Sequence, residues 1–352
     1  MYSLKQIGIE SISDQLTGID QSAIGRISKV HKERYEILSE QGILIAEVTG
    51  NLRFSAQGPE DFPVVGDWVE FSLFDELAII HRILSRKSLL KRKAIGDRSE
   101  TQPIASNIEY AFIICAANYD FNLNRIERYL VMARSGNIIP VVLLSKTDLI
   151  SQDKLDEMVE SIQKRMKGIA IIPFSNESQE GIEEIIHLIK PGETICLLGS
   201  SGVGKSTLIN NLLGVQLQKT KKISDSTHKG MHTTTGREMI IMENGGILID
   251  TPGMREVGIS NDEEGIDSTF SQINSLAGNC RYHDCKHINE PGCVVLEAIK
   301  NGILDESAYE NYQKLVRESE HYESSVAEKR KKDKAFGKMV KNVMKQKKKG
   351  KY

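Results

Sequence analysis

In Gly199-Ser200-Ser201-Gly202-Val203-Gly204-Lys205-Ser206-Thr207 the first eight residues match G-x-x-x-x-G-K-[ST], a pattern that cradles nucleoside phosphates. The glycines let backbone amides converge on phosphate oxygens at a helix N-terminus. Lys205 is expected against the β- and γ-phosphates, and the Ser206 hydroxyl against Mg²⁺. A glycine-rich turn without nucleotide is the plain alternative. Against it stand the apolar run Thr194–Leu198 before the loop and the helical pattern Lys205–Leu213 after it.

Ser145-Lys146-Thr147-Asp148 reads as a guanine-specifying motif. Asp148 can accept from N1–H and the 2-amino group of guanine, whereas adenine would leave a buried carboxylate unpaired. Lys146 packs its stem along the base. Ser145 stands where asparagine is usual and is expected to lose one bracing hydrogen bond, about 1 kcal/mol of guanine binding. Ser175 resembles the residue whose loop lies beside guanine O6, although Asn176 departs from the usual small residue.

Asp250-Thr251-Pro252-Gly253 closes a further apolar strand, where a second carboxylate supporting Mg²⁺ belongs, with Gly253 sensing the γ-phosphate. Between it and the phosphate loop lies the threonine-rich stretch 227–235, which suits a first switch. Thr234 is the expected Mg²⁺-reaching hydroxyl among its three adjacent threonines. His232 either positions water or packs as an ordinary loop histidine. Met254 occupies the place of a water-orienting glutamine, so slow intrinsic hydrolysis is expected, raised by a macromolecular activator.

The guanine motif precedes the phosphate loop, whereas in common GTPases it follows. A circular permutation of the same fold produces that order.

A second cluster, Cys280-x4-Cys285-x-His287-x5-Cys293, offers three thiolates and an imidazole, a closed set suited to structural Zn²⁺. His283 is an alternative to His287. Cys115 and Cys196 lie in apolar runs and read as core.

The elements that must carry these groups fall into blocks. Ala23–Val30, Tyr35–Ser39, Gly42–Thr49, Asp67–Leu73 and Leu77–Ile83 read as short strands of a small β-barrel such as an OB-fold, with Trp68 in its core. Such a barrel binds nucleic acid or serves as scaffold. A basic linker runs from Arg86 to near Pro103. Tyr110–Ala117, Ile139–Ser145, Ile169–Phe174, Thr194–Leu198, Arg237–Met242 and Gly246–Asp250 then read as strands. They alternate with helical patterns at Asn124–Ser135, Gln152–Met166 and Gly181–Ile189, giving a doubly wound α/β domain. A helix is expected at Tyr309–Glu323. The division expected is 1–100 barrel and linker, 101–257 permuted nucleotide domain, 258–325 zinc-binding domain, and 326–352 a disordered basic tail.

At 352 residues and 27% charged residues, the composition is that of a soluble protein. No apolar run approaches the roughly 20 residues of a membrane span, and Met1 to Glu10 has no signal core, so a cytoplasmic, membrane-free protein is expected. The net charge of −2 hides an asymmetry: residues 329–352 carry twelve Lys or Arg and one acid. Such a tail suits a polyanion, or is simply solvated.

The reversed motif order, the barrel and the Cys–Cys–His–Cys segment together resemble the ribosome small subunit-dependent GTPase A family (RsgA, also called YjeQ). The resemblance covers roughly residues 25–318. It extends to Val65-Gly66-Asp67-Trp68-Val69, Gln102-Pro103-Ile104-Ala105-Ser106-Asn107-Ile108 and His232-Thr233-Thr234-Thr235. It implies a cytoplasmic GTPase, monomeric, that binds the 30S subunit and its 16S rRNA late in maturation and helps release an assembly factor. Hydrolysis is slow alone and faster on the subunit. GTP contacts fall on Ser145–Asp148 and Gly199–Thr207, with zinc on Cys280, Cys285, His287 and Cys293. Ser145, Glu109 and Met231 depart from the family pattern and mark a diverged member. The rival reading is an RNA-binding module whose nucleotide site has lost turnover. Because the permutation runs Asp250–Gly253 directly into the zinc segment, nucleotide state is expected to move that segment relative to the barrel.

Overall fold

The computed structural model describes residues 2–31, 34–93, 101–214, 237–251 and 262–322. The expected switch residues Thr234 and His232, with Met231, Pro252, Gly253, Met254 and the basic tail, lie outside them.

Five strands form the barrel: β1 (Ile24–Val30), β2 (Tyr35–Ser39), β3 (Gly42–Val48), β4 (Trp68–Phe74) and β5 (Leu77–Ile83). β1 pairs with β2, β2 with β3, β3 in parallel with β5, β5 with β4, and β4 returns to β1, so the ring closes. Alternation makes it fold this way: Ile27, Ile37, Ala46, Val69, Phe71 and Ile80 point inward. A short helix, α1 (Gly50–Ser55), follows β3, its start capped by Thr49 Oγ1 accepting from the Leu52 amide.

The stretch read as a linker is a hairpin, β6 (Leu89–Lys93) with β7 (Thr101–Ser106). Its cationic residues masked the strand pattern. On β6, Lys91 reaches Glu60 and Arg92 reaches Gln102, so these positions are half-buried partners, not solvated linker.

The nucleotide-binding block has the six expected strands: β8 (Tyr110–Ala116), β9 (Ile139–Ser145), β10 (Ala170–Phe174), β11 (Thr194–Gly199), β12 (Glu238–Ile241) and β13 (Ile247–Asp250). Their order is β10-β9-β8-β11-β13-β12, parallel except for β12. Both faces are covered: Ala111 and Ile113 feed one apolar core, and Phe112 and Ile114 the other. Among the described residues, four helices flank this sheet: α2 (Leu123–Ser135), α3 (Gln152–Arg165), α4 (Ile182–Leu188) and α5 (Lys205–Leu212). Because the strands are parallel, the loops after β9, β10, β11 and β13 emerge on one edge, where ligands bind in such sheets.

Barrel and sheet are joined. Lys29 on β1 opposes Glu238 on β12 and pairs with it at 2.8 Å. Below that seam Arg26, fully buried, donates to Ile7 O, Gly66 O, Asn107 O and Thr194 Oγ1 at 2.8–3.1 Å. Burial lowers its pKa to about 10, so it stays charged at neutral pH. Its guanidinium lies 5.5 Å from the Trp68 ring centroid. Trp68 is buried as expected, but in the core shared with the sheet rather than inside the barrel ring. It sits at the first residue of β4 and belongs to the same core as Ile24, Val65 and Ile249.

A third layer comprises helices Glu263–Thr269, Ser271–Ala277 and Val294–Lys300 and a helical stretch over 306–322. Its core gathers Ile266, Phe270, Ile273, Val295 and Leu315 around Val131 of α2. Among the described residues, no helix is long and apolar enough to cross a membrane.

Candidate functional site

β11 delivers the phosphate loop. Gly199, Gly202 and Gly204 take φ of 152°, 81° and 97°, a region that side chains resist. At Gly199 a Cβ would also meet Ile114 O at 2.5 Å. α5 begins at Lys205, so the loop amides gather at its N-terminus. Val203 is buried and anchors the loop, whereas Ser201, Gly202, Ser206 and Thr207 are exposed. Lys205 Nζ donates to the carbonyls of Gly199, at 2.6 Å, and Ser200.

Two neighbouring loops are knitted to this one. Ser145, fully buried at the end of β9, donates from Oγ to Val203 O at 2.7 Å. The shorter side chain therefore keeps a direct brace on the phosphate loop, where the sequence suggested one would be lost. Lys146 follows in the left-handed region at φ 63°, and Thr147–Leu149 form one tight turn that leaves Asp148 exposed. Asp148 Oδ1 accepts from Ser175 Oγ at 2.5 Å. Asn176, the departure from the usual small residue, donates from Nδ2 to Gly204 O at 3.2 Å and accepts from Asn211 of α5 at 3.0 Å. Larger than expected, it ties its loop to the phosphate loop.

Asp250 ends β13, next to β11. Burial pushes its carboxyl above the ordinary range, Glu238 opposite adds to the rise, and Lys205 opposes it. Thr251 Oγ1 donates to Leu197 O at 3.2 Å. Ser206 and Asp250 are hard oxygen donors flanking the loop, the donor type that Mg²⁺ takes. Residues missed by sequence reading are Arg125, whose Nη1 donates to Ser200 Oγ at 2.9 Å, and Tyr129, buried one turn further along α2. Nothing local marks them, since 75 positions separate Arg125 from Ser200.

In the third layer the ligand atoms of Cys280, Cys285, His287 and Cys293 all lie within 4.8 Å of one another. Cys280 Sγ is 3.9 Å from Cys293 Sγ, and His287 Nδ1 lies 3.6 and 3.4 Å from those sulfurs. A tetrahedron with arms of about 2.3 Å has edges of about 3.8 Å, so the donor set fits zinc. His287, not His283, joins the cluster. The Tyr309 hydroxyl donates to His287 O. Glu290 accepts the amides of Lys286 and Ile288 at 2.8 Å, which holds its carboxyl down near about 2. Cys115 and Cys196 are buried in strands away from this set, and burial pushes the Cys196 thiol up to about 12.

Residues 83–260 match the family described as RsgA GTPase. The chain is 42% identical to Small ribosomal subunit biogenesis GTPase RsgA 1 of Bacteroides thetaiotaomicron, covering 95% of this chain and 93% of that one. It is 40% identical to Small ribosomal subunit biogenesis GTPase RsgA 2 of Vibrio parahaemolyticus, over 98% and 94%. Among solved structures, YjeQ from Thermotoga maritima aligns with TM-score 0.64 at 26% identity, over 84% of this chain and 98% of that one. YloQ, described as a circularly permuted GTPase, shares the fold with TM-score 0.61 at 24% identity, over 85% of this chain and 95% of its own.

Proposed function

The chain belongs to the RsgA GTPase family, and we propose that it hydrolyses GTP to GDP and phosphate in the service of small ribosomal subunit maturation. The observation that carries this reading is the hydrogen-bonded join of the loops at 145–148, 175–176 and 199–204, despite their reversed order along the chain.

The division of labour follows the chemistry of the groups. Asp148 reads guanine, with Lys146 along the base, Ser145 and Thr147 shaping the turn, and Ser175 fixing the carboxylate. Amides from Gly199 to Thr207 hold the phosphates, and Lys205 turns from its carbonyls to the β- and γ-oxygens. Ser206 and Asp250 would hold Mg²⁺, which when bound would neutralise charge on the phosphates. Thr234 and His232, outside the described residues, keep their assigned roles as switch hydroxyl and water-positioning group. Cys280, Cys285, His287 and Cys293 hold one structural Zn²⁺.

The segments 1–100, 101–257, 258–325 and 326–352 are taken as barrel, nucleotide domain, zinc layer and tail, with the β6–β7 hairpin crossing the first boundary. A monomer acting in the cytoplasm on the 30S subunit suits this arrangement. The closed barrel and the tail, with twelve basic residues from 329 to 352, supply the surface for 16S rRNA. GTP turnover measured with and without 30S subunits tests the whole reading. Low basal turnover, raised several-fold by subunits, is expected, as is competition by GDP but not ATP. Turnover indifferent to subunits would overturn the ribosomal assignment, and equal competition by ATP the guanine assignment.

A further inference from the structure

The phosphate loop is gripped by a second cation besides Lys205. Arg125 stands in the first turn of α2, where Asn122 caps the helix by accepting the Arg125 amide at 3.0 Å. Its Nη1 donates to Ser200 Oγ at 2.9 Å and to Asp120 Oδ2 at 2.7 Å. Tyr129, one turn further along the same helix, is buried. Lys205 meanwhile holds the carbonyls of Gly199 and Ser200. Once Lys205 turns to a phosphate, the grip from α2 is what keeps Ser200 and the amides after it aimed. Preorganised donors of this kind act on the transition state and cost no rearrangement when charge develops.

The same helix is the platform for the Cys3His layer. Glu127, 1% exposed, accepts from Arg165 at 2.6 and 2.8 Å and from Asn311 Nδ2 at 2.6 Å. Arg128 pairs with both oxygens of Glu318 at 3.0 and 2.8 Å. Val131 is buried in that layer's core. Three consecutive turns of α2 thus touch first the phosphate loop and then the third layer.

We propose that Arg125 is a positioning residue for GTP hydrolysis and that α2 couples it to docking of the Cys3His layer, so that loosening the layer slows turnover without weakening nucleotide binding. This rests on the GTPase reading above. The route differs from the one expected from sequence, which ran from Asp250–Gly253 directly into the zinc segment; here the contacts are side chains on one helix.

The test compares kcat and KM for GTP, and affinity for a fluorescent GDP analogue, among the unaltered protein, Arg125→Ala, Arg125→Lys, Ser200→Ala, Asn311→Ala and the Arg125→Ala/Asn311→Ala double variant. Arg125→Ala should lower kcat about tenfold with KM changed less than about threefold. Arg125→Lys should recover most of that loss, and Ser200→Ala should fall in the same direction. Asn311→Ala should lower kcat about threefold, and the double variant should fall no further than Arg125→Ala, as expected of one coupled unit. Unchanged kcat in Arg125→Ala, loss of GDP binding in both Arg125→Ala and Ser200→Ala, or multiplicative losses in the double variant would overturn the proposal alone. An unaltered protein that turns over no GTP would instead overturn the function on which it rests.

Discussion

Asp148 carries the largest specific prediction among single residues. Its carboxylate accepts from Ser175, and three residues before it Ser145 ties the end of β9 to the phosphate loop. Replacing Asp148 by Asn removes the charge proposed to accept two guanine donors, each worth roughly 1.5 kcal/mol. GTP affinity should fall about 100-fold while ATP affinity stays where it was, as read by competition binding. Retained selectivity for GTP would show that another group reads the base. The motif residues themselves were legible in the sequence, because phosphate chemistry fixes their types and spacing. What they touch was less so. Ser145 looked too short for its task, and Asn176 too large for its own; the structure gives each a hydrogen bond to the phosphate loop. Such compensation depends on how near two loops pass, which residue types do not encode.

Strands declared themselves by alternation or by apolar runs, and the eleven expected positions all hold strands, with no end shifted by more than one residue. The hairpin β6–β7 was hidden, since Lys91, Arg92 and Lys93 erase the apolar period and their partners come from elsewhere in the chain. The three short helices of the third layer were also illegible, at seven residues each. Helices of two turns are unstable alone and depend on what ties them. Here the ties are α2 and the four-ligand cluster. Removing zinc with a chelator should therefore melt residues 262–322 selectively, seen as lost helicity and new protease cleavage there, while GDP binding changes little. Cys285→Ser should bring bound zinc from about one per chain to near none. An untreated protein that holds no zinc, or a chelated one with unaltered cleavage, would remove the metal from this account.

Arg26 decides how the molecule behaves as a whole. It ties the N-terminal segment at Ile7, the barrel at Gly66, the β7–β8 turn at Asn107 and the start of β11 at Thr194. The Arg26→Met variant strands several buried carbonyls, at a cost of about 3 kcal/mol. Thermal unfolding should then begin earlier and split into two transitions, one for the barrel and one for the sheet. A single transition at the original midpoint would mean that barrel and sheet are held mainly by other contacts. Sequence reasoning placed both modules but missed this tie, because an arginine on a barrel strand reads as a surface residue.

The joint between barrel and sheet also determines what the protein can no longer do. Ring closure uses up the margins of the barrel strands, and β1 covers the margin of β12. Among the described residues, the rim left open in the main sheet is β10, five residues long and interrupted by Pro173, which has no amide hydrogen to offer. Another chain seeking to add itself as one more strand meets a proline there. At that rim, addition of a strand by another chain or by a second copy is disfavoured, and contact there falls to side chains and charge.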